Sequence, residues 1–197
     1  MRRLEHVRRN KRISATPGAG EPVTATMLYE RTADNSARFL LGTSGMNPLV
    51  CVGVNPSTAT PDKLDHTVTR VSRYAELNGH DSWTMLNIYP QRSTSPEGMH
   101  LTHLPHLQSA NEQCIATFIG SRQLTLVAAW GELVTTRPYL PRLLERIVEI
   151  ADRSSCEWQS IGELLKSHHP RHPSRGPYLD LQPFDVGSYV RRLPKSQ

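Results

Sequence analysis

The segment that most constrains the fold is a continuous apolar run from Pro48 to Val54, which ends in Asn55, Pro56 and Ser57. An uninterrupted run of this length is typical of a strand covered on both faces, as in a parallel sheet. Similar runs occur at 83–88 and 124–130, and a shorter one at 158–161. The sequence therefore predicts a buried, mainly parallel sheet of four strands.

Helical patterns separate these strands. Residues 67–78 place Val68, Val71, Tyr74 and Ala75 along one stripe, and Gly79 is a suitable stop. Further helices are predicted near 108–119, 138–151 and 188–193, and two short strands at 27–31 and 37–41. Strands that alternate with helices predict an α/β fold, here a three-layer α/β/α domain.

The domain organisation follows from length and composition. Residues 1–26 are polar and basic, which predicts a flexible N-terminal arm or a solvated tail with no task of its own. Residues 27–197 are predicted to form a single α/β domain, because 197 residues suit one domain better than two.

The charge of the chain favours an acidic partner. A formal net charge of +5 and a pI near 9.4 suit a polyanion such as nucleic acid. Three cysteines at spacings that match no metal or disulfide framework indicate a reducing, cytoplasmic setting. No stretch approaches the roughly 20 apolar residues of a membrane span, so no membrane association is expected. We expect a monomer.

Three predicted strands end in polar or glycine-bearing segments, namely 55–57, Asn87 and Trp130-Gly131. The carboxyl ends of parallel strands meet at one edge of a sheet, where α/β proteins bind ligands. Gly53 allows close backbone approach and Pro56 fixes the turn. Asn55 could hold a water or a ligand carbonyl, and Ser57 could bind an anion, although the same residues also make an ordinary turn.

Two further positions have both a structural and a functional interpretation. Asp65 precedes the helix at 67–78 and could cap it or point into the cleft, while Arg70 could pair with Asp65 or reach a phosphate. Asn87 lies in an otherwise mostly apolar strand, and a buried amide needs partners for both of its ends. Those partners are either a neighbouring loop or a ligand such as a nucleobase.

Residues 166–175 are rich in His, Arg and Pro and are predicted to form a stiff loop. Its histidines have no matching second pair of ligands, so neither a metal nor another cofactor is expected. A histidine with arginine neighbours suits a developing anion or a phosphate, and a solvated surface loop is the alternative.

The motifs resemble the bacterial and phage DUF1643 family over roughly residues 27–180. The resemblance is carried by the order Val-Gly-Val-Asn-Pro-Ser-Thr-Ala (52–59), Asp-His-Thr-Val-Thr-Arg (65–70), Leu-Asn-Ile-Tyr (86–89), Arg-Ser-Thr-Ser-Pro (92–96), Ala-Trp-Gly (129–131), Arg-His-Pro (171–173) and Pro-Tyr-Leu (177–179). That family is defined without an assigned function, so the resemblance implies no activity.

Three motifs are also similar to those of the uracil-DNA glycosylase superfamily. Gly-Val-Asn-Pro (53–56) is similar to its water-activating loop, Leu-Asn (86–87) to its base-reading strand end, and His-Pro-Ser (172–174) to its DNA-pressing loop. The resemblance implies a glycosylase-like fold and a nucleobase N-glycosidic hydrolase acting on DNA. A non-catalytic nucleic-acid or nucleotide binding module with the same cleft is the alternative.

The glycosylase resemblance assigns roles by position. Asn55 would position the attacking water, Asn87 would read the base edge, and His172 would stabilise the departing base, with Asp65 as a base or electrostatic stabiliser. The remaining expected substrate contacts are Gly53, Pro56, Ser57, Arg70, Arg92, Trp130, Gly131, Ser174 and Arg175. Arg175-Gly176 stands where the superfamily has an apolar wedge, which favours a single-stranded or modified substrate over intact duplex DNA.

Overall fold

The computed structural model describes Glu5–His6 and residues 25–194. Its strands are β1 (Glu5–His6), β2 (Met27–Arg31), β3 (Arg38–Thr43), β4 (Pro48–Gly53), β5 (Ser82–Asn87), β6 (Thr125–Ala128), β7 (Glu157–Ile161) and β8 (Leu181–Pro183). Its α-helices are α1 (His66–Leu77), α2 (Pro105–Ile119), α3 (Leu140–Asp152) and α4 (Val186–Arg192). Short 3₁₀ turns occupy Pro96–Gly98 and Gly131–Thr135.

All the described strands form one mixed sheet in the order β1-β2-β3-β5-β4-β6-β7-β8. The α/β class is therefore confirmed, and β5, β4, β6 and β7 pair in parallel. The prediction of a four-stranded sheet was wrong, because the β2–β3 hairpin joins β5 and β8 joins β7, both in antiparallel fashion. β8 is three residues long, ends in a proline and has no apolar run, so the sequence pattern did not reveal it.

Helices cover the sheet on both faces. Along β4, Leu49 and Cys51 pack in one apolar cluster with the buried side of α1, while Val50 and Val52 pack in a second cluster with α2, α3 and α4. Successive strand residues point to opposite faces. Burial on both faces is the physical reason that Pro48–Gly53 is apolar throughout.

The connections of β4 and β5 leave the sheet on opposite faces. α1 joins β4 to β5 on one face, and α2 joins β5 to β6 on the other. Neighbouring parallel strands whose connections diverge in this way leave a crevice at their carboxyl ends, where open α/β sheets bind ligands. Asn87 and the segment after Gly53 lie at this crevice.

Most of the predicted N-terminal arm, at residues 1–4 and 7–24, lies outside the described residues. Within it, Glu5 and His6 pair with Arg31 and Glu30 of β2. Over the part of the chain that the structure describes, no helix combines the length and apolarity needed to cross a membrane.

Candidate functional site

A cavity of about 170 Å³ opens at the carboxyl ends of β4 and β5. Its volume is below the roughly 300–1,000 Å³ of sites for drug-sized ligands. A cavity of this small size suits a single ring better than a whole nucleotide. The lining residues are Arg38, Gly53, Val54, Asn55, Ser57, Asp65, Thr67, Val68, Met85, Asn87, Ser93, Thr94, Ser95, Leu133 and His172.

Six of the sequence-predicted residues meet in this cavity: Gly53, Asn55, Ser57, Asp65, Asn87 and His172. Pro56, Arg70, Arg92, Trp130, Gly131, Ser174 and Arg175 do not line it. Most of this second group contacts the segments that carry the cavity residues.

Asn55 is held in one orientation by two carbonyl groups. Its Nδ2 donates to the oxygen of Ser93 at 3.0 Å and to the oxygen of Pro56 at 3.2 Å. Pro56 is buried, and its carbonyl also accepts the backbone N–H of Ser93 at 2.9 Å. Because the amide hydrogens are used in this way, Oδ1 of Asn55 is left as an acceptor for a water or a ligand donor.

Asn87 is the last residue of β5 and only 1% exposed. Its backbone carbonyl accepts Nδ2 of Asn111 at 2.9 Å, which fixes the end of the strand. Its own Nδ2 is buried and has no hydrogen-bond partner among the described residues. A buried donor without a partner costs about 1–3 kcal/mol, so this group is suited to a ligand acceptor.

Gly53 gives the Asn87 amide its space. A Cβ built at Gly53 would lie 3.2 Å from Oδ1 of Asn87 and 3.6 Å from Cε of Met85. The first distance is shorter than ordinary van der Waals contact, so any side chain at position 53 displaces the amide. The absence of a side chain at Gly53 therefore leaves room for the amide of Asn87.

We expect Gly53→Ala to lower ligand affinity or turnover about tenfold or more while costing only about 1–3 kcal/mol of stability, the range for overpacking. Urea unfolding and titration of the cavity ligand measure the two effects. Gly187→Ala is the control, because a Cβ there meets only ordinary contacts at 3.5 and 3.6 Å. Equal effects of both substitutions on the site would contradict this account of Gly53.

Asp65 has two functions in the structure. Its Oδ1 accepts the N–H of Val68 at 2.9 Å and caps α1, as one of the two sequence interpretations expected. The same side chain lines the cavity and interacts electrostatically with Arg38 and His172. The cap leaves Oδ2 of Asp65 for the cavity.

His172 is oriented by the residue two positions on. Its Nδ1 lies 2.7 Å from Oγ of Ser174 and accepts the backbone N–H of Ser174 at 3.3 Å. Because an N–H only donates, Nδ1 is unprotonated and the imidazole carries its hydrogen on Nε2. Burial and the nearby Arg175 lower the pKa of His172 from its ordinary value, against an opposing effect of Asp65. The ring is therefore a neutral N–H donor at neutral pH.

The loop at 166–175 rests on the segment that follows β6. Gly131 has a φ of +59°, and a Cβ there would contact Cβ of His172 at 3.7 Å. Trp130 lies beneath, fully buried, and its Nε1 donates to the hydroxyl of Tyr189 at 3.0 Å. The same hydroxyl lies 2.7 Å from Nδ1 of His169, so Trp130 anchors the loop from below.

Arg70 holds the far side of the same loop. Its Nε donates to the carbonyl of Pro173 and its Nη2 to the carbonyl of Gly176 at 3.0 Å. Its guanidinium also lies 4.0 Å from the ring centre of Tyr178. These contacts occupy Arg70 within the protein and make it a positioning residue for His172.

Replacing Arg70 by Gln should loosen the segment 172–177. We expect amide hydrogen exchange there to rise at least tenfold and turnover to fall by about 10- to 100-fold, because small misplacements of a reacting group are costly. Substrate affinity should change less than turnover. Arg73→Gln, one helical turn on, is the control, since Arg73 is exposed and its ion-pair partner among the described residues is the exposed Glu76. Unchanged exchange at 172–177 in the Arg70 variant would contradict the positioning role.

Arg92 clamps the segment after Asn55. Its Nη1 donates to the carbonyl of Ser57 at 2.7 Å, and its Nη2 donates to the hydroxyl of Tyr29 at 2.6 Å and to the carbonyl of Ala59 at 3.2 Å. Arg175, in contrast, is exposed at the end of the loop formed by residues 166–175. Of the predicted cationic contacts, Arg175 is therefore the one available to a phosphate outside the cavity.

The sequence interpretation missed Arg38, Met85, Leu133 and the run Ser93-Thr94-Ser95. The run is visible as a polar stretch directly after a predicted strand, and that signal could have placed it at the site. Arg38 has no comparable signal, because an arginine in a short strand ordinarily faces solvent. In the structure Arg38 is only 2% exposed.

Within residues 25–194 and Glu5–His6, no group of three or more His, Cys, Asp or Glu side chains is placed to hold a metal ion. What the cavity offers is hydrogen-bond donors from Asn87 and His172, an acceptor from Asn55, and the carboxylate of Asp65.

Comparison with known proteins identifies the family. The chain matches the family model described as "Protein of unknown function (DUF1643)" over residues 38–174, a span that contains every cavity residue. No curated protein matches the chain. No solved structure matches it either. The match covers more than half of the sequence, and the chain therefore belongs to the DUF1643 family.

Proposed function

We propose that this protein is a nucleobase N-glycosidic hydrolase that acts on DNA. The observation that carries the proposal is the convergence of Asn55, Asn87 and His172 on one small cavity at the ends of β4 and β5. These residues come from sequence positions that are far apart. Their order and local motifs resemble those of the uracil-DNA glycosylase superfamily.

Each of the three side chains suits one part of the reaction. Oδ1 of Asn55 orients the attacking water, because the amide hydrogens already bind Ser93 and Pro56. The unpartnered Nδ2 of Asn87 donates to an acceptor on the base edge. Nε2–H of the neutral His172 donates to the negative charge that grows on the base as the bond to the sugar breaks.

The carboxylate of Asp65 has two uses at such a site. It stabilises the cationic character that develops on the sugar, and its Oδ2 can accept a proton from the water. The water adds its oxygen to C1′ of the sugar and gives one proton to Asp65, the C–N bond breaks with its electron pair leaving on the base, and the released base takes up that proton. No further reactant is needed.

A single-stranded or modified substrate agrees best with the surroundings of the cavity. Arg175 and Gly176 follow the His-Pro-Ser segment and are exposed, and neither can replace a base inside a duplex stack as an apolar wedge would. A cavity of about 170 Å³ admits one ring that has already left the stack.

The test is the formation of abasic sites. The full chain is incubated with oligonucleotides that contain uracil, mismatched thymine or modified bases, in single and double strands, and the products are cleaved with alkali at abasic positions. We expect strand cleavage with at least one single-stranded substrate. No abasic sites with any of them would overturn the proposal.

The second candidate is a nucleic-acid or nucleotide binding module with the same cavity. One observation favours it: Oδ1 of Asp65 is used to cap α1, and no carboxylate follows Asn55 directly in the chain. This candidate predicts binding that weakens steeply with salt, normal binding by Asn55→Ala, and no released base.

A further inference from the structure

The cavity contains a buried cation that the proposed reaction does not use. Arg38, the first residue of β3, is 2% exposed and lines the cavity. Its Nη1 donates to the carbonyl of Ala59 at 3.0 Å, whereas its Nε is buried and has no hydrogen-bond partner in the described part of the chain. Among the described residues, the recorded ion pairs join other arginines, and none joins a carboxylate to Arg38.

A charge in this position is costly to the empty protein. Burial first, and then the neighbouring Arg92, lower the pKa of Arg38 to about 10, against smaller raising effects of Asp65 and Tyr29. The guanidinium is therefore still charged at neutral pH but poorly compensated. A buried charge is normally paired, and the pairing group is then an anion close to its unsatisfied donors.

A second buried donor lines the same cavity, whose acceptors are Oδ1 of Asn55 and the carboxylate of Asp65. Nδ2 of Asn87 is buried and unpartnered in the same cavity, and Asn87 is 1% exposed. Two side chains that are each more than nine-tenths buried thus offer N–H groups that no acceptor within residues 25–194 uses. Guanidinium and amide donors together are suited to carboxylate and phosphate oxygens.

We propose that the cavity binds an oxyanion of its ligand, a carboxylate or a phosphate, through Arg38 and Asn87. The identification of this ligand as the substrate rests on the proposed hydrolase function. The binding of an oxyanion by Arg38 and Asn87 does not depend on that function. The inference narrows the substrate class to a group of one-ring size that carries a negative charge, or to a ring bound beside a phosphate.

The two sources of the oxyanion are separated by simple probes. Thermal unfolding and calorimetric titration of the full chain are followed with inorganic phosphate, with orotate, which is uracil bearing a carboxylate, and with uracil itself. We expect phosphate or orotate to raise the unfolding temperature and to bind at least tenfold more tightly than uracil. Orotate as the better ligand indicates a carboxylated ring, and phosphate as the better ligand indicates a nucleotide phosphate. Equal binding of uracil and both anions, or no binding of either anion, would overturn the inference.

Variants locate the oxyanion at Arg38. Arg38→Gln and Arg38→Met should weaken anion binding by about 10- to 100-fold, the effect of losing one charge-assisted hydrogen bond. Arg38→Met also removes an uncompensated buried charge, so it should keep or raise the unfolding temperature of the empty protein. Arg137→Gln is the control, because Arg137 also binds backbone carbonyls, those of Glu97 and Met99, but lies outside the cavity.

If neither Arg38 variant folds, the wild-type protein still decides the question. The Nε–H resonance of an arginine is resolved by nitrogen-15 NMR, and the buried Nε of Arg38 should shift as the anion is added. An anion that binds while this resonance stays fixed, or that binds equally to a folded Arg38 variant, would overturn the inference. Abasic-site formation without anion binding would reject this inference alone, and anion binding without base release would reject the hydrolase alone.

Discussion

Replacing Asn55 by Ala should reduce base release about 10²- to 10⁴-fold, the contribution of a group that positions and activates a water. Oδ1 of Asn55 is the acceptor that remains once its amide hydrogens bind Ser93 and Pro56. The substitution also removes those two hydrogen bonds, so we expect about 1–3 kcal/mol of lost stability. The rate of base release is measured in single-turnover reactions on an oligonucleotide substrate. The loss of stability is measured by urea unfolding.

Asn78→Ala is the matched control for Asn55. It removes an amide of the same kind, whose Nδ2 donates to the carbonyl of Tyr74 at 2.8 Å at the end of α1, away from the cavity. It should cost about 1 kcal/mol of stability and leave the rate unchanged. Equal rates for the Asn55 and Asn78 variants would show that Asn55 contributes only to the fold.

His172→Gln should lower the rate of base release about 10²- to 10³-fold, as expected when a donor to a developing anion is lost. Affinity for the uncleaved oligonucleotide should change less, because the charge on the base grows only as the bond breaks. His80→Gln is the control, since His80 lies beside Asn47 near the start of β4. A loss of affinity equal to the loss of rate would contradict the assigned role.

The pH dependence of the His172 contribution has a defined sign. The folded protein lowers the pKa of His172, through burial and then Arg175, below the ordinary 6.5. The unfolded chain therefore binds more protons near pH 6, so stability from the neutral ring is complete above pH 6.5 and is lost as pH falls through the lower, folded-state pKa. Protonation also puts a hydrogen on Nδ1, which can then no longer accept the N–H of Ser174. Activity should fall over the same range, and Arg175→Gln should move this fall to higher pH.

The sequence predicted the parts of the fold that depend on continuous apolar burial. The continuous apolar run ending at Val54 is typical of a strand buried on both faces, and the stripe of Val68, Val71 and Tyr74 has the period of a helix. It also placed Asn55, Asn87 and His172 at strand ends or in a loop, and the structure brings them to one cavity. Their proximity followed from the topology of parallel sheets.

What the sequence could not predict depends on contacts with backbone atoms. The sequence suggested that Arg70 and Arg92 could bind phosphate. Their acceptors in the structure, the carbonyls of Pro173 and Ser57, have no sequence signature. The sequence contains no signal for Arg38, because its burial depends on contacts made in the fold, such as the hydrogen bond of its Nη1 to the carbonyl of Ala59. The strand β3 was predicted, but its antiparallel pairing with β5 was not, and the three-residue β8 gave no pattern of its own.

The most direct test of the central claim is the stoichiometry of base release. Free base, measured by chromatography, and abasic sites, measured in the same single-turnover reaction, are compared for the wild type and Asn55→Ala on one single-stranded oligonucleotide. The account predicts one base for each abasic site with the wild type and at least about 100-fold slower formation of both products with the variant, while both proteins bind the oligonucleotide. Binding by both proteins with no free base from either, across the same panel of bases, would contradict it and would leave the binding module as the function of this cavity.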